Sequence, residues 1–381
     1  MNASIYLDNN ATTQPAPEVL AAMLDCLRDC WGNPSSKHHM GEAAKERLMT
    51  AHGQVGALIG AVPAEIVFTG SATEANHTAI LGALAISEGR RHIVASAVEH
   101  PSTMLLLKHL QDSGVRVTYV SVDAQGQLNL DQLAAAIADD TAVVSVMWAN
   151  NETGVIFPVA QAAELAKRRG ALFHTDAVQA AGRIAIDVKN MPVDLLSMAG
   201  HKLHAAKGVG ALFVRKGTKL PPLIFGHQQR GRRGGTEALA GIVGMGVAAE
   251  LAAHRQEHDT PAIAAFRDRL EQGLIERLPQ TQINSVKATR LPNTSSLRFG
   301  TVDAEIVLAR LDRARICASS GSACTAGATA PSHALLAMGM SSQQALATVR
   351  FSLSRYTCAE DIDAVLEIMP DIVQPLASYA D

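Results

Sequence analysis

The chain has 381 residues, 48% of them hydrophobic and 18% charged, and a formal net charge of −3. That is enough apolar material for a large core, and the length suggests two domains or one large domain with an appendage. The near-neutral balance argues against nucleic acid or an anionic membrane surface as a partner, no apolar stretch reaches the roughly 18 residues of a membrane span, and the N-terminus has no signal-peptide pattern, so a cytoplasmic enzyme is expected.

In chain order, residues 66–69 read as a strand and 73–88 as a helix. A strand at 92–96 and a helix at 102–113 follow. Strands at 115–122 and 142–148 bracket a helix at 130–138. Residues 160–169 are helical, and strands at 171–174, 193–198 and 209–214 close the series. These strands are continuously apolar rather than alternating, as in a parallel sheet covered on both faces. Alternating strands and helices imply a doubly wound α/β domain, whose ligands sit at the carboxyl ends of the strands. Beyond it, helices are expected at 239–254 and 262–278, strands at 294–299 and 347–352, and helices at 304–313 and 359–369. That rhythm suggests a smaller α+β domain, with a boundary near residues 254–260.

Two strand ends carry the chemistry. One ends in His174-Thr175-Asp176-Ala177-Val178-Gln179, the other in Gly200-His201-Lys202. A lysine and a carboxylate so placed are the minimum kit for holding a pyridine aldehyde. The lysine forms a Schiff base and the acid keeps the ring nitrogen protonated. Gly70-Ser71-Ala72-Thr73-Glu74 joins a strand to a helix; Ser71 with Glu74 fits a capping box, and free N–H groups there suit one phosphate. His100 follows a strand, where an imidazole can stack on a ring, move protons in catalysis or serve as a structural group. Asn150-Asn151 lies at another strand end, where amides can bind a substrate or simply turn the chain. Arg350, on an otherwise apolar strand, calls for a carboxylate. Arg230-Gly231-Arg232-Arg233 suits a phosphate clamp or a solvated loop. Gly244-Met245-Gly246-Val247-Ala248-Ala249 matches a dinucleotide fingerprint, but no strand precedes it and that role is rejected.

The five cysteines do not form a disulfide framework. Cys26 and Cys30 lie four apart on a helix face, with no second ligand pair at zinc spacing. Cys317 has an apolar approach and is expected to be packed. Cys324 sits in Ser319-Ser320-Gly321-Ser322-Ala323-Cys324-Thr325-Ala326-Gly327, among small residues that would not bury a thiol, as suits a nucleophile.

With these residues assembled, the chain resembles the cysteine desulfurases of the nitrogen-fixation and iron–sulfur assembly type, within the class-V aminotransferases that use pyridoxal 5'-phosphate (PLP). The likeness runs from Tyr6-Leu7-Asp8-Asn9-Asn10-Ala11-Thr12-Thr13 through Gly32-Asn33-Pro34-Ser35-Ser36, Glu99-His100 and Arg233-Gly234-Gly235-Thr236 to Arg350-Phe351-Ser352. The resemblance implies a PLP-dependent transferase of fold type I. Its large domain would span residues 15–256. Its small domain would span 1–14 and 257–381 and carry a mobile cysteine loop at about 317–330.

The resemblance also implies roles. Lys202 would be the Schiff-base lysine and proton shuttle. Asp176 would face the pyridinium nitrogen, Gln179 the ring hydroxyl, and His100 would stack on the ring. Ala72, Thr73 and His201 would hold the phosphate, with Thr236 arriving from the second subunit of a homodimer. Asn151 and Arg350 would grip the substrate carboxylate, with Asn10 shaping that pocket. Cys324 would take the sulfur of L-cysteine as a persulfide and pass it to an iron–sulfur scaffold or another acceptor protein. No resident metal is implied; Cys324 alone would be linked to clusters.

Three positions depart from the family pattern. Ala199 stands where a phosphate-binding serine is usual, and Ala205-Ala206 replace Gly-Pro before Lys207. The resemblance also leads one to expect that the chain lacks the C-terminal extension of the iron–sulfur assembly members, which would lean toward the nitrogen-fixation subtype. The rivals are a selenocysteine lyase, another class-V enzyme and a non-catalytic sulfur carrier.

Overall fold

Seven strands build the central sheet of the computed structural model, which describes residues 4–320 and 330–377. Their spatial order is Ile66–Thr69, Gly210–Val214, Leu195–Ala199, Leu172–Asp176, Thr141–Ser145, His92–Ser96 and Arg116–Val120. Adjacent residues on one strand point into different cores. Val67, Ile93, Val143, Leu195 and Leu212 face the side covered by helices Ala72–Ile86 and Pro101–Asp112. Phe68, Val94, Val144, Leu196 and Phe213 face the other side, covered by helices Pro17–Asp29, His39–Leu58, Val159–Arg168 and the start of Leu239–Arg277. Burial on both faces is why these strands read as unbroken apolar runs.

The sheet is not wholly parallel. Gly210–Val214 runs antiparallel to both its neighbours, while the other strands share one direction. Only residues 200–209 link Leu195–Ala199 to Gly210–Val214, too few for the crossover that a parallel return requires.

A second, antiparallel sheet orders Ser319–Ser320, Thr348–Ser352, Thr294–Phe299 and Thr281–Ile283. Helices Ala304–Arg313 and Ala359–Ala377 pack there with Leu297, Val349, Phe351 and the N-terminal Leu7. The start of the chain joins this part through Ile5–Tyr6, which pairs with Ile316–Cys317, and through an Asp8–Ser352 bridge. That pairing delivers Asn9 and Asn10 to the edge of the central sheet.

The two helices expected at 239–254 and 262–278 are one, Leu239–Arg277, with Pro261 inside it. Its first half is buried up to Ala252 in the central core, and its second half reaches the other core at Leu270 and Leu274. The stretch between them passes from one core to the other, with Thr260 Oγ1 donating to the Arg183 carbonyl at 3.2 Å and Asp259 paired with Arg255 at 3.1 Å. Pro261 removes one N–H there, and the carbonyl of exposed Glu257, which it would have met, can turn to water. The rejected fingerprint lies in the first half. A Cβ on Gly246 would stand 2.9 Å from Ala51 Cα, so that glycine serves helix packing.

Candidate active site

Asp176 closes its strand and Lys202 lies in the turn that follows the neighbouring parallel strand, so both arrive at the same edge of the sheet. Between them is a cavity of about 240 Å³, room for a small ligand of one ring rather than a polymer. Asn10, Ala72, Thr73, His100, Asn151, Asp176, Gln179, His201 and Lys202 all line it. Ala199 lines it too, where the family serine would offer a hydroxyl.

Asp176 is fixed at both oxygens. Asn76 Nδ2 donates to Oδ2 at 2.7 Å and the Val178 N–H to Oδ1 at 3.0 Å. Asn76 also donates to Ser102 Oγ at 3.1 Å, and its own Oδ1 is buried without a partner among the described residues. Sequence reasoning missed Asn76 and Ser102. The available signal was an asparagine on an apolar helix face, because a buried amide must find partners.

His100 caps helix Pro101–Asp112, accepting at Nδ1 from the Ser102 N–H at 3.1 Å. Burial lowers the imidazole's pKa; the Asp176 charge opposes this, while Lys202 and His333 reinforce it. A neutral ring is the form that caps a helix N-terminus and lines a cavity holding another cation. His201 is pushed down to about 4, first by burial and then by Lys202 and Lys207.

Glu99, next to His100, is fully buried. Its Oε1 accepts from Ser96 Oγ and from the Met147 N–H at 2.8 Å. Burial pushes this carboxyl up from 4.5 to about 8; those two bonds pull it down, and Asp176 pushes it further up. With the folded value above the unfolded one, its contribution to stability is complete below pH 4.5 and lost as pH rises through 8. Glu99→Gln should abolish that slope, which is at most roughly 1.4 kcal/mol per pH unit. Urea unfolding of both proteins at pH 5.5, 7 and 8.5 checks this; parallel pH profiles would contradict it.

Lys202 Nζ donates to the Asn10 and Ala11 carbonyls, the latter at 2.6 Å. Gln179 Nε2 also donates to the Asn10 carbonyl at 3.0 Å, while its Oε1 accepts from half-buried Arg183. Arg183 thereby fixes which way round the Gln179 amide sits. The Asn10 side chain donates to Thr294 Oγ1 at 2.9 Å and to the Asn151 carbonyl at 3.1 Å.

At the opposite wall, helix Ala72–Ile86 begins at the cavity, where first-turn N–H groups lack intrahelical acceptors. Ser71 Oγ accepts from the Glu74 N–H at 3.1 Å, but Glu74 does not complete the capping box. Its carboxylate accepts from the Gly70 N–H at 2.8 Å and pairs with Arg233 at 2.8 Å. Arg233 thus belongs to an ion pair behind the turn. Gly210 lets its strand back this turn closely: a Cβ there would stand 2.6 Å from the Ser71 carbonyl carbon.

Two expected residues are not brought into the cavity wall. Arg350 is buried behind it, donating to the Asn151 carbonyl at 3.0 Å and pairing with Asp8 at 2.9 Å. Its Nε is buried with no partner among the described residues. Thr236 is exposed and borders a separate cleft with Gly70, Gln229 and Arg233. Cys324 lies outside the described residues. Of the other cysteines, Cys26 is buried on helix Pro17–Asp29, and Cys317 is half-buried on its short strand.

The aminotransferase class-V family pattern matches residues 5–365. Cysteine desulfurase 2 of Trichormus variabilis is 49% identical over 379 residues, covering 99% of this chain and 94% of that protein. The cysteine desulfurase NifS of Azotobacter vinelandii is 47% identical over 380 residues, with the same coverage. Among solved structures, a NifS-like protein superposes with a TM-score of 0.91 at 34% identity, over 98% of this chain and all of that one. A structure described as SspA in complex with cysteine gives 0.81 at 34% identity, over 93% of this chain and all of that one. The fold is that of these NifS-like enzymes, and the chain belongs to the aminotransferase class-V family, in the group whose relatives are named cysteine desulfurases.

Proposed function

We propose that this protein is a cysteine desulfurase that binds PLP and converts L-cysteine to L-alanine, leaving the sulfur on Cys324 as a persulfide. The observation that carries the reading is the placement of the Lys202 amine and the Asp176 carboxylate on one cavity, at adjacent strand ends, with a helix N-terminus on the facing wall.

The donor set fits that cofactor. Lys202 would hold its aldehyde carbon, doubly anchored Asp176 its ring nitrogen, and Gln179 its hydroxyl. Ala72, Thr73 and His201 would hold its phosphate, and neutral His100 would lie against the ring. Bound there, PLP supplies a protonated ring that takes up the electron pair left when the substrate's α-proton departs.

The chain's own groups do the rest. Lys202 Nζ takes the α-proton and later returns one to carbon. Asn151, Asn10 and Arg350 orient the substrate carboxylate, with Arg350 shifting part of its bonding from Asp8 to the incoming acid. The Cys324 thiolate attacks the substrate sulfur. A sulfur–sulfur bond forms, the carbon–sulfur bond breaks, and the electron pair stays on carbon, which is protonated. Cysteine plus thiol therefore gives alanine plus persulfide, with no outside oxidant.

The same reading makes the enzyme a cytoplasmic homodimer, with Thr236 serving the partner's phosphate site. It has two domains, an iron–sulfur scaffold or another protein as sulfur acceptor, and no resident metal. No helix among the described residues is long and apolar enough to cross a membrane. Purified protein supplied with PLP and L-cysteine should form alanine and enzyme-bound sulfane sulfur in equal amounts in its first turnover. Absence of alanine would contradict the proposal.

A further inference from the structure

Residues 332–338 follow the cysteine segment, yet they are fastened to the central sheet. Ala334 and Leu335 are buried in its core. Ser332 caps the short helix His333–Ala337, accepting from the Leu335 N–H at 3.2 Å. The same hydroxyl donates to Glu152 Oε2 at 2.5 Å, and both residues are buried. His333 Nε2 lies 2.9 Å from the carbonyl oxygen of Glu99. Capping requires neither of these last two contacts.

Both anchors are chain neighbours of cavity residues. Glu152 follows Asn151, and Glu99 precedes His100. The other end of the cysteine segment is also held, since Ser319 and Ser320 pair with Arg350 and Val349. Cys324 is four residues from Ser320, a span of at most about 14 Å. It lies eight residues before Ser332.

We propose that Ser332 and His333 are positioning residues for sulfur transfer. Through Glu152 and the Glu99 carbonyl they register the chain that carries Cys324 to the two walls formed by Asn151 and His100. The proposal rests on the desulfurase reading. It places no new group on the substrate. The contacts fix where the foot of the segment stands relative to the reacting sulfur, and a misplacement of about 1 Å at such a step can cost on the order of 100-fold.

The test compares wild type, Ser332→Ala, Ser332→Thr, Glu152→Ala and the double alanine variant. Each is reconstituted with PLP and given L-cysteine. Ser332→Ala is expected to lower kcat for alanine formation about 10- to 100-fold. KM and the exchange of the substrate α-hydrogen with D2O, which reports on Lys202, should stay within about two-fold of wild type. Ser332→Thr, which keeps the hydroxyl, should recover most of the rate. The double variant should be no slower than the slower single one, because the two act through one bond. His333→Gln, which keeps a donor, should be milder than His333→Ala. Wild-type kcat in Ser332→Ala, fully additive losses in the double variant, or α-hydrogen exchange falling in step with kcat would each overturn the positioning role. A wild type that forms no alanine would instead remove the desulfurase reading, and this proposal with it.

Discussion

Lys202→Ala should abolish the visible absorbance that a lysine-bound PLP gives, and lower alanine formation by at least roughly 10³. No other lysine lines the described cavity, so no second amine stands ready to replace it. His100 cannot substitute: burial depresses its pKa, and its Nδ1 is already engaged by the Ser102 N–H. The fold should survive. Lys202 donates to the Asn10 and Ala11 carbonyls at the cavity edge, and water entering the space left by the side chain can replace those bonds. Absorbance spectra and turnover of the reconstituted variant check this. An unchanged visible band would show that the cofactor is held elsewhere.

Cys324→Ala should do the reverse to the spectrum and the same to turnover. The lysine linkage and its band should remain, because no cavity-lining residue described above is altered, while release of sulfur falls to background. None of Cys26, Cys30, Cys317 or Cys358 lines the cavity. Burial raises the Cys317 thiol, which keeps it protonated and a poor nucleophile. Measurement of alanine and sulfane sulfur after L-cysteine addition checks the assignment. Sustained turnover in the variant would move the nucleophile to another residue.

Much of the central sheet was legible because its strands are buried on both faces. Val67 and Phe68 serve opposite cores, as do Val143 and Val144, so the apolar run itself marks the strand. The reversal of Gly210–Val214 left no mark in its composition; only the short link before it carries that information. Residues 239–277 misled for a physical reason. Polar residues and Pro261 normally end a helix, but here they lie where one helix passes between two cores.

In the site, the groups with distinctive chemistry stood out in the sequence: Asp176, Lys202, His100 and the turn at Ser71. Their supporting groups did not. Asn76 holds Asp176 from the middle of a helix, Arg183 sets the Gln179 amide, and Asn293 donates to Asn10 Oδ1 at 3.0 Å. Each acts through a tertiary contact that no local pattern encodes. The Asp8–Arg350 pair was equally hidden, since it joins residues 342 positions apart.

The proposed chemistry requires a covalent bond between Lys202 and the aldehyde carbon of PLP. Borohydride reduction of the reconstituted protein, followed by digestion and mass spectrometry, tests it most directly. The expected result is bleaching of the visible band and a pyridoxyl-phosphate mass increment on the peptide containing Lys202. A colourless protein, or the increment on any other lysine, would contradict it.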